Sequence, residues 1–320
     1  MARFCRTILL LGLAGASPGI AGDPKQAPPA FELHEGDRVV FLGNSFFERA
    51  RQHGHLETSL ALRWPDRKIT FRNLGWDGDT VFGHSRTGGR RRSVFGNPEE
   101  GFGKMIAHLR QLDPTVVFVA YGWNESFAGA QGAPDFRRGL ERLLKEAGNR
   151  RFVLLSPTPT ERGFGAELPF TRKEGRGQDH VARRNATLKS FRDVIASVAT
   201  EGGHHFVDLF SALQQEKTPY SSNGIHPSAE GYRSIARTMA RSLRLPGPAV
   251  ALDSAEAETL RSIIVRKNTL YFHRWRPRND AFVYGERKNE QATAQTEPEK
   301  FEPFVSGQED LILEQLKALK

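Results

Sequence analysis

The chain alternates short apolar runs with longer stretches in which apolar residues recur every three or four positions. Val39-Val40-Phe41-Leu42 ends in Gly43, Lys68-Ile69-Thr70-Phe71 ends near Asn73, and Thr115 to Tyr121 is apolar almost without a break. Phe152-Val153-Leu154-Leu155 and His205-Phe206-Val207-Asp208-Leu209 complete five candidate strands. Short runs without polar alternation fit strands covered on both faces. Between them, Phe136, Leu140, Leu143 and Leu144 share one helical face, as do Val181, Leu188, Phe191, Val194, Ile195 and Val198. Strands alternating with helices predict an α/β fold, a five-stranded, mostly parallel sheet flanked by helices as an α/β/α sandwich. Ligands of such sheets bind beyond the carboxyl ends of the strands, so the residue after each apolar run is where chemistry is expected.

The two ends of the chain follow other patterns. Arg3 and Arg6 precede a run of small and apolar residues, and Gly19-Ile20-Ala21 offers a cleavage site, so residues 1–21 read as an export signal. That run is too short to span a bilayer, and no transmembrane segment is expected once it is removed. A Pro-rich linker, 22–36, leads into the main domain, 37–246. The remainder, 247–320, is a C-terminal helical and aromatic extension. Leu260, Ile263, Ile264 and Lys267 stand at helical spacing, and three aromatics crowd Tyr271 to Pro277. With so little apolar content this tail is expected to pack on the main domain, its aromatics serving as docking surface rather than as a carbohydrate platform.

Composition narrows the classes. The 320 residues carry 46 basic and 37 acidic side chains, a formal charge of +9, and one cysteine, Cys5. A lone cysteine inside the signal excludes an intramolecular disulfide, and no Cys/His spacing suggests a metal site or a cofactor. The basic residues are scattered and no nucleic-acid motif accompanies them, so nucleic acid is not an expected partner. Removal of Arg3 and Arg6 leaves an exported, cysteine-free, basic protein, periplasmic or extracellular, whose charge suits acidic polysaccharide, cell wall or anionic headgroups.

Four polar blocks stand at the predicted strand ends. Gly43-Asn44-Ser45 follows the first strand and precedes a helix, whose free amides favour developing negative charge. Asn73 to Thr80 follows the second; its glycines allow a sharp turn and bring a peptide N–H near a ligand. Tyr121-Gly122-Trp123-Asn124 ends the most apolar strand, where an amide side chain can donate to an oxyanion. Asn223-Gly224-Ile225-His226-Pro227 lies in a late loop from which a histidine can reach the same rim.

In this order the blocks resemble the SGNH (GDSL-type) hydrolases, serine esterases of flavodoxin-like fold, in particular exported bacterial members, over about residues 37–243. The resemblance implies Ser45 as nucleophile, Gly78 and Asn124 as oxyanion donors, and His226 as general base. Two positions depart from the family pattern. Asn44 stands where Gly-Asp-Ser is usual, and Asn223 replaces the acid three residues before the histidine. An amide oxygen can accept the imidazole N–H and orient the ring, but it cannot stabilise imidazolium by charge. Some exported members carry asparagine at this place together with an aromatic-rich tail.

The implied activity is hydrolysis of a small O-acyl ester, acetyl first among candidates, on a carbohydrate, with no cofactor and no metal. Asn44, Trp123 and Arg86 are the expected substrate contacts, with Arg90 to Arg92 beside them. Two alternatives remain open on the sequence: an acyltransferase using the same serine, and a weakly active or non-catalytic glycan-binding protein of the same fold. The acyl group, the glycan and the oligomeric state leave no pattern in the chain.

Overall fold

The computed structural model describes residues 29–86, 98–162, 178–276, 280–283, 287–291 and 293–319. The expected signal, linker residues 22–28 and Arg90 to Arg92 lie outside them.

Five strands, β1 (Arg38–Gly43), β2 (Thr70–Asn73), β3 (Val116–Ala120), β4 (Arg151–Leu155) and β5 (His205–Val207), form one sheet in the order β2-β1-β3-β4-β5. Every pairing is parallel. Successive side chains of a strand face opposite ways, which explains the unbroken apolar runs. Val39, Phe41, Val116, Phe118 and Val153 enter one core, while Val40, Leu42, Val117, Val119 and Leu154 enter the other.

The first core is covered by α1 (Ser45–His53), α2 (His55–Ala61), α6 (Leu209–Gln214), α7 (Ala229–Ser242) and α8 (Ala255–Trp275). The second is covered by α3 (Pro98–Leu112), α4 (Ala133–Ala147) and α5 (Gln178–Gly202). The result is the expected three-layer sandwich. Two strands differ from the expectation by two residues at one end. β2 starts two residues later, where Thr70 first pairs with Arg38. β5 stops at Val207 because the Asp208 side chain accepts the Ser211 N–H and starts α6.

After α8 come α9 (Asp280–Val283) and α10 (Glu302–Ala318). The α8 helix lies against α1, α2 and β2, and α10 lies on α8. Lys267, buried, donates to Glu57 of α2 and to the Phe71 carbonyl at 3.1 Å. Arg261 donates to the His53 carbonyl at 2.7 Å. Tyr271 and Phe272 are buried, and Trp275 meets Trp76 edge-on with centroids 5.5 Å apart. Trp275 of the aromatic cluster thus packs against the loop after β2.

Candidate active site

With the strand order 2-1-3-4-5, chain direction across the sheet reverses between β1 and β3, which opens a crevice beyond their carboxyl ends. The blocks after β1, β2 and β3 meet there because their strands are neighbours. Gly43 pairs with Ala120, Asn44 N–H donates to the Ala120 carbonyl, and Trp76 N–H donates to the Gly43 carbonyl at 3.0 Å. Gly75 is required for this approach, since a Cβ there would stand 2.2 Å from the Glu48 nitrogen.

Ser45 is the first residue of α1, so its N–H is among those without an intrahelical acceptor. Asn44 caps the helix, its side-chain oxygen accepting the Phe46 N–H at 3.0 Å. The carboxylate expected next to the nucleophile is therefore replaced by a neutral cap. Gly78 sits at φ +72°, in the left-handed region that favours glycine. Its N–H donates to Ser45 Oγ at 3.2 Å. Asn124 donates one amide hydrogen to the Asp79 carbonyl at 2.7 Å, which leaves its second hydrogen for the cleft. Ser45, Asn124 and His226 line one cavity of about 230 Å³, together with Trp123, Phe127 and Asn44. Of the site residues named from the sequence, Asn44, Ser45, Trp123, Asn124 and His226 line this cavity, and Gly78 and Asn223 bond to residues of its wall.

Arg86 corrects the expectation. It is 1% exposed and absent from the cavity wall. Its Nε donates to Asp79 Oδ2 at 2.7 Å and its Nη2 to the Leu74 carbonyl at 2.7 Å. Asp79 is fully buried and also accepts the Tyr121 hydroxyl at 3.0 Å and the Ser85 N–H at 3.2 Å. A carboxylate taken out of water needs a counter-charge, and that need draws the arginine inward.

Asn223 also differs from expectation. Its side-chain oxygen accepts the backbone N–H groups of Ile225, at 3.2 Å, and His226, at 2.9 Å. That is an Asx turn, and it commits the oxygen to the loop instead of to the imidazole. Among the described residues, no carboxylate is hydrogen-bonded to the His226 ring. The ring is half-buried, and its pKa lies below the ordinary 6.5 through burial first and the Arg49 cation second, with Asp77 opposing. Neutral imidazole is thus favoured at neutral pH, the protonation state a general base needs.

Several contributors left no local signal. Glu161, after β4, accepts the Tyr220 and Ser221 N–H groups at 3.0 and 2.9 Å, and its own N–H donates to the Gly224 carbonyl at 2.9 Å. It holds the histidine loop from another strand. The Tyr232 hydroxyl donates to the Phe46 carbonyl at 2.6 Å and ties α7, which follows that loop, to α1. Glu125 bridges two blocks, accepting Val81 N–H at 2.6 Å and Gly122 N–H at 2.8 Å; burial pushes its carboxyl up to about 7. Arg184 of α5 donates to the Ser126 and Trp123 carbonyls at 2.9 and 3.0 Å and to Ser126 Oγ at 2.7 Å. Burial lowers its pKa to about 10, so it stays charged at neutral pH. Glu161 and Arg184 act across long sequence separations, whereas the Asn223 turn was readable from Asn-Gly alone.

Among the described residues, no group of three His, Cys, Asp or Glu side chains gathers to hold a metal ion. None of their helices is long and apolar enough to cross a membrane.

No curated protein sequence matches the chain. Among solved structures, it is similar to a gut microbial diltiazem-metabolizing enzyme at 20% identity and TM-score 0.50, covering 68% of this chain and 49% of that one. The chain therefore spans about half the length of that relative. It is also similar to a catalytic mutant of an acetylxylan esterase from Geobacillus stearothermophilus, at 19% identity and TM-score 0.48, covering 68% and 98% of the two chains. The periplasmic domain of a lipopolysaccharide acetyltransferase from Salmonella ser. Paratyphi A matches at 12% identity and TM-score 0.45, covering 66% and 85%. The family profile of the GDSL-like lipases and acylhydrolases matches residues 41–234, and with the parallel five-stranded sheet beneath that match the chain belongs to the GDSL-like lipase/acylhydrolase family.

Proposed function

We propose that the protein is an exported serine esterase that removes a small O-acyl group, acetyl in the first instance, from a carbohydrate. The observation that carries this reading is the meeting of Ser45, Asn124 and His226 on one cavity with the Gly78 N–H directed at Ser45 Oγ. In the proposed reaction neutral His226 takes the Ser45 proton as Oγ attacks the ester carbonyl. The N–H groups of Ser45 and Gly78 and the free amide hydrogen of Asn124 receive the oxyanion. Collapse expels the alcohol, which leaves with the proton from His226, and water then attacks the acyl-serine with the same histidine as base. The export signal and basic balance of the sequence support an extracytoplasmic polymer as substrate.

A slow or non-hydrolytic reading draws on Asn223, whose oxygen is bonded to loop backbone and leaves imidazolium without an ion-pair partner. Hydrolysis of p-nitrophenyl acetate by the wild-type protein and by Ser45→Ala tests the proposal. Turnover that vanishes with the serine supports it, and equal rates in both proteins would refute it. Asn124→Ala should lower kcat by about two to three orders of magnitude, because one oxyanion donor is lost. Its contact with the Asp79 carbonyl contributes only about 1 kcal/mol to stability.

A further inference from the structure

Phe127 is 64% exposed, a costly position for a large apolar ring, yet it is not left loose. It stands on the wall of the Ser45 cavity and meets Trp123 edge-on, with centroids 5.2 Å apart and an interplanar angle of 75°. The Arg184 guanidinium lies 4.1 Å from the centroid of the Phe127 ring and 4.8 Å from that of Trp123. Arg184 is itself buried and fixed by its three hydrogen bonds to the Trp123–Ser126 turn, so the cation is a rigid support under one face of the ring. With most of its surface exposed, the rest of the ring is open to solvent on the cavity wall. Ala128, Ala130 and Gln131, which follow Phe127 in the chain, are exposed and do not line the cavity.

From this we infer that Phe127, backed by Arg184 and flanked by Trp123, is a stacking platform for one pyranose ring of the substrate alcohol, adjacent to the ester that Ser45 attacks. The inference rests on the esterase reading above and adds where the sugar lies. A β-glucopyranoside, with its hydroxyls equatorial, offers a flat face of axial C–H groups, and an aromatic face carries negative charge density that attracts them. One supported ring face matches one pyranose ring in size. Arg184 acts through the turn as a positioning residue, since the same turn carries Asn124.

The test compares wild type, Phe127→Ala and Phe127→Trp on methyl mono-O-acetyl-β-glucopyranoside, on ethyl acetate and on an octanoate ester. Phe127→Ala is expected to raise KM for the acetyl glucoside about tenfold with kcat little changed, to change KM for ethyl acetate far less, and to be rescued by Phe127→Trp. Equal loss on all three esters, or no change on the glucoside, overturns the platform. A selective loss on octanoate overturns it in favour of an acyl-chain contact. Titration of Ser45→Ala with cellotetraose, followed by tryptophan fluorescence, separates this inference from the esterase reading. Binding weakened about tenfold by adding Phe127→Ala supports the platform even if no ester is hydrolysed, and equal binding in both proteins refutes it even if the protein is an esterase.

Discussion

Replacing Arg86 by methionine removes the counter-charge of a carboxylate with no exposed surface. In the native protein Asp79 accepts from Arg86 Nε at 2.7 Å, from the Tyr121 hydroxyl at 3.0 Å and from the Ser85 N–H at 3.2 Å. The variant keeps the last two bonds and loses the cation, together with the 2.7 Å bond to the Leu74 carbonyl. Breaking one side of a buried pair strands a charge in low dielectric and costs about 3–5 kcal/mol. That is a large share of the roughly 5–15 kcal/mol that holds a typical domain. Urea unfolding at pH 7 should show the midpoint falling at unchanged slope. The double variant Asp79→Asn, Arg86→Met removes both charges and should recover most of the loss, ending within about 2 kcal/mol of wild type. Activity should fall with the single variant even where it remains folded, because the Asp79 carbonyl holds Asn124 and its neighbour Gly78 holds Ser45 Oγ. A loss under about 1 kcal/mol, or a double variant as unstable as the single, would refute the counter-charge account.

Three further outcomes follow from the site and its surroundings. Asn223→Asp should change kcat by less than about tenfold, far from the roughly four orders of magnitude of a triad acid, because the oxygen there is bonded to backbone N–H groups; steady-state kinetics decide it. Activity should rise with pH through an apparent pKa below 6.5, as His226 loses its proton, and Arg49→Gln should move that limb to higher pH by removing a nearby cation; a pH–rate profile reads both. His55 and His108 are each lowered to about 4, chiefly by burial. Their folded pKa lies below the unfolded value, so the stability they contribute is complete above about pH 6.5 and is lost as pH falls toward 4. The slope is up to about 1.4 kcal/mol per pH unit for each, and urea midpoints at pH 7.5 and 5 measure it.

The strands were legible because a strand buried on both faces writes itself as a continuous apolar run, and the faces of α4 and α5 were legible from their spacing. The serine, the histidine and the glycine at positive φ stood out because they sit where packing does not require them. Arg86 was not legible as a buried residue because its acceptors, Asp79 and Leu74, lie 7 and 12 positions back in the same loop, a separation that no helix or strand spacing marks. Glu161 and Arg184 were not legible at all. Each supports a loop of another strand, and an isolated Glu or Arg in a sequence carries no mark of the backbone groups it will bond. The role of Asn223 is legible locally, since Asn-Gly before two free N–H groups is a turn signal.

Ser45 as an activated nucleophile is the centre of the account, and covalent labelling tests it most directly. The protein is incubated with a serine-directed fluorophosphonate and its peptides are mapped by mass spectrometry, with Ser45→Ala and His226→Ala alongside. The account predicts one adduct on the peptide carrying Ser45, absent from Ser45→Ala and formed far more slowly in His226→Ala. An adduct on another serine, or labelling of Ser45 at the same rate without His226, would contradict it.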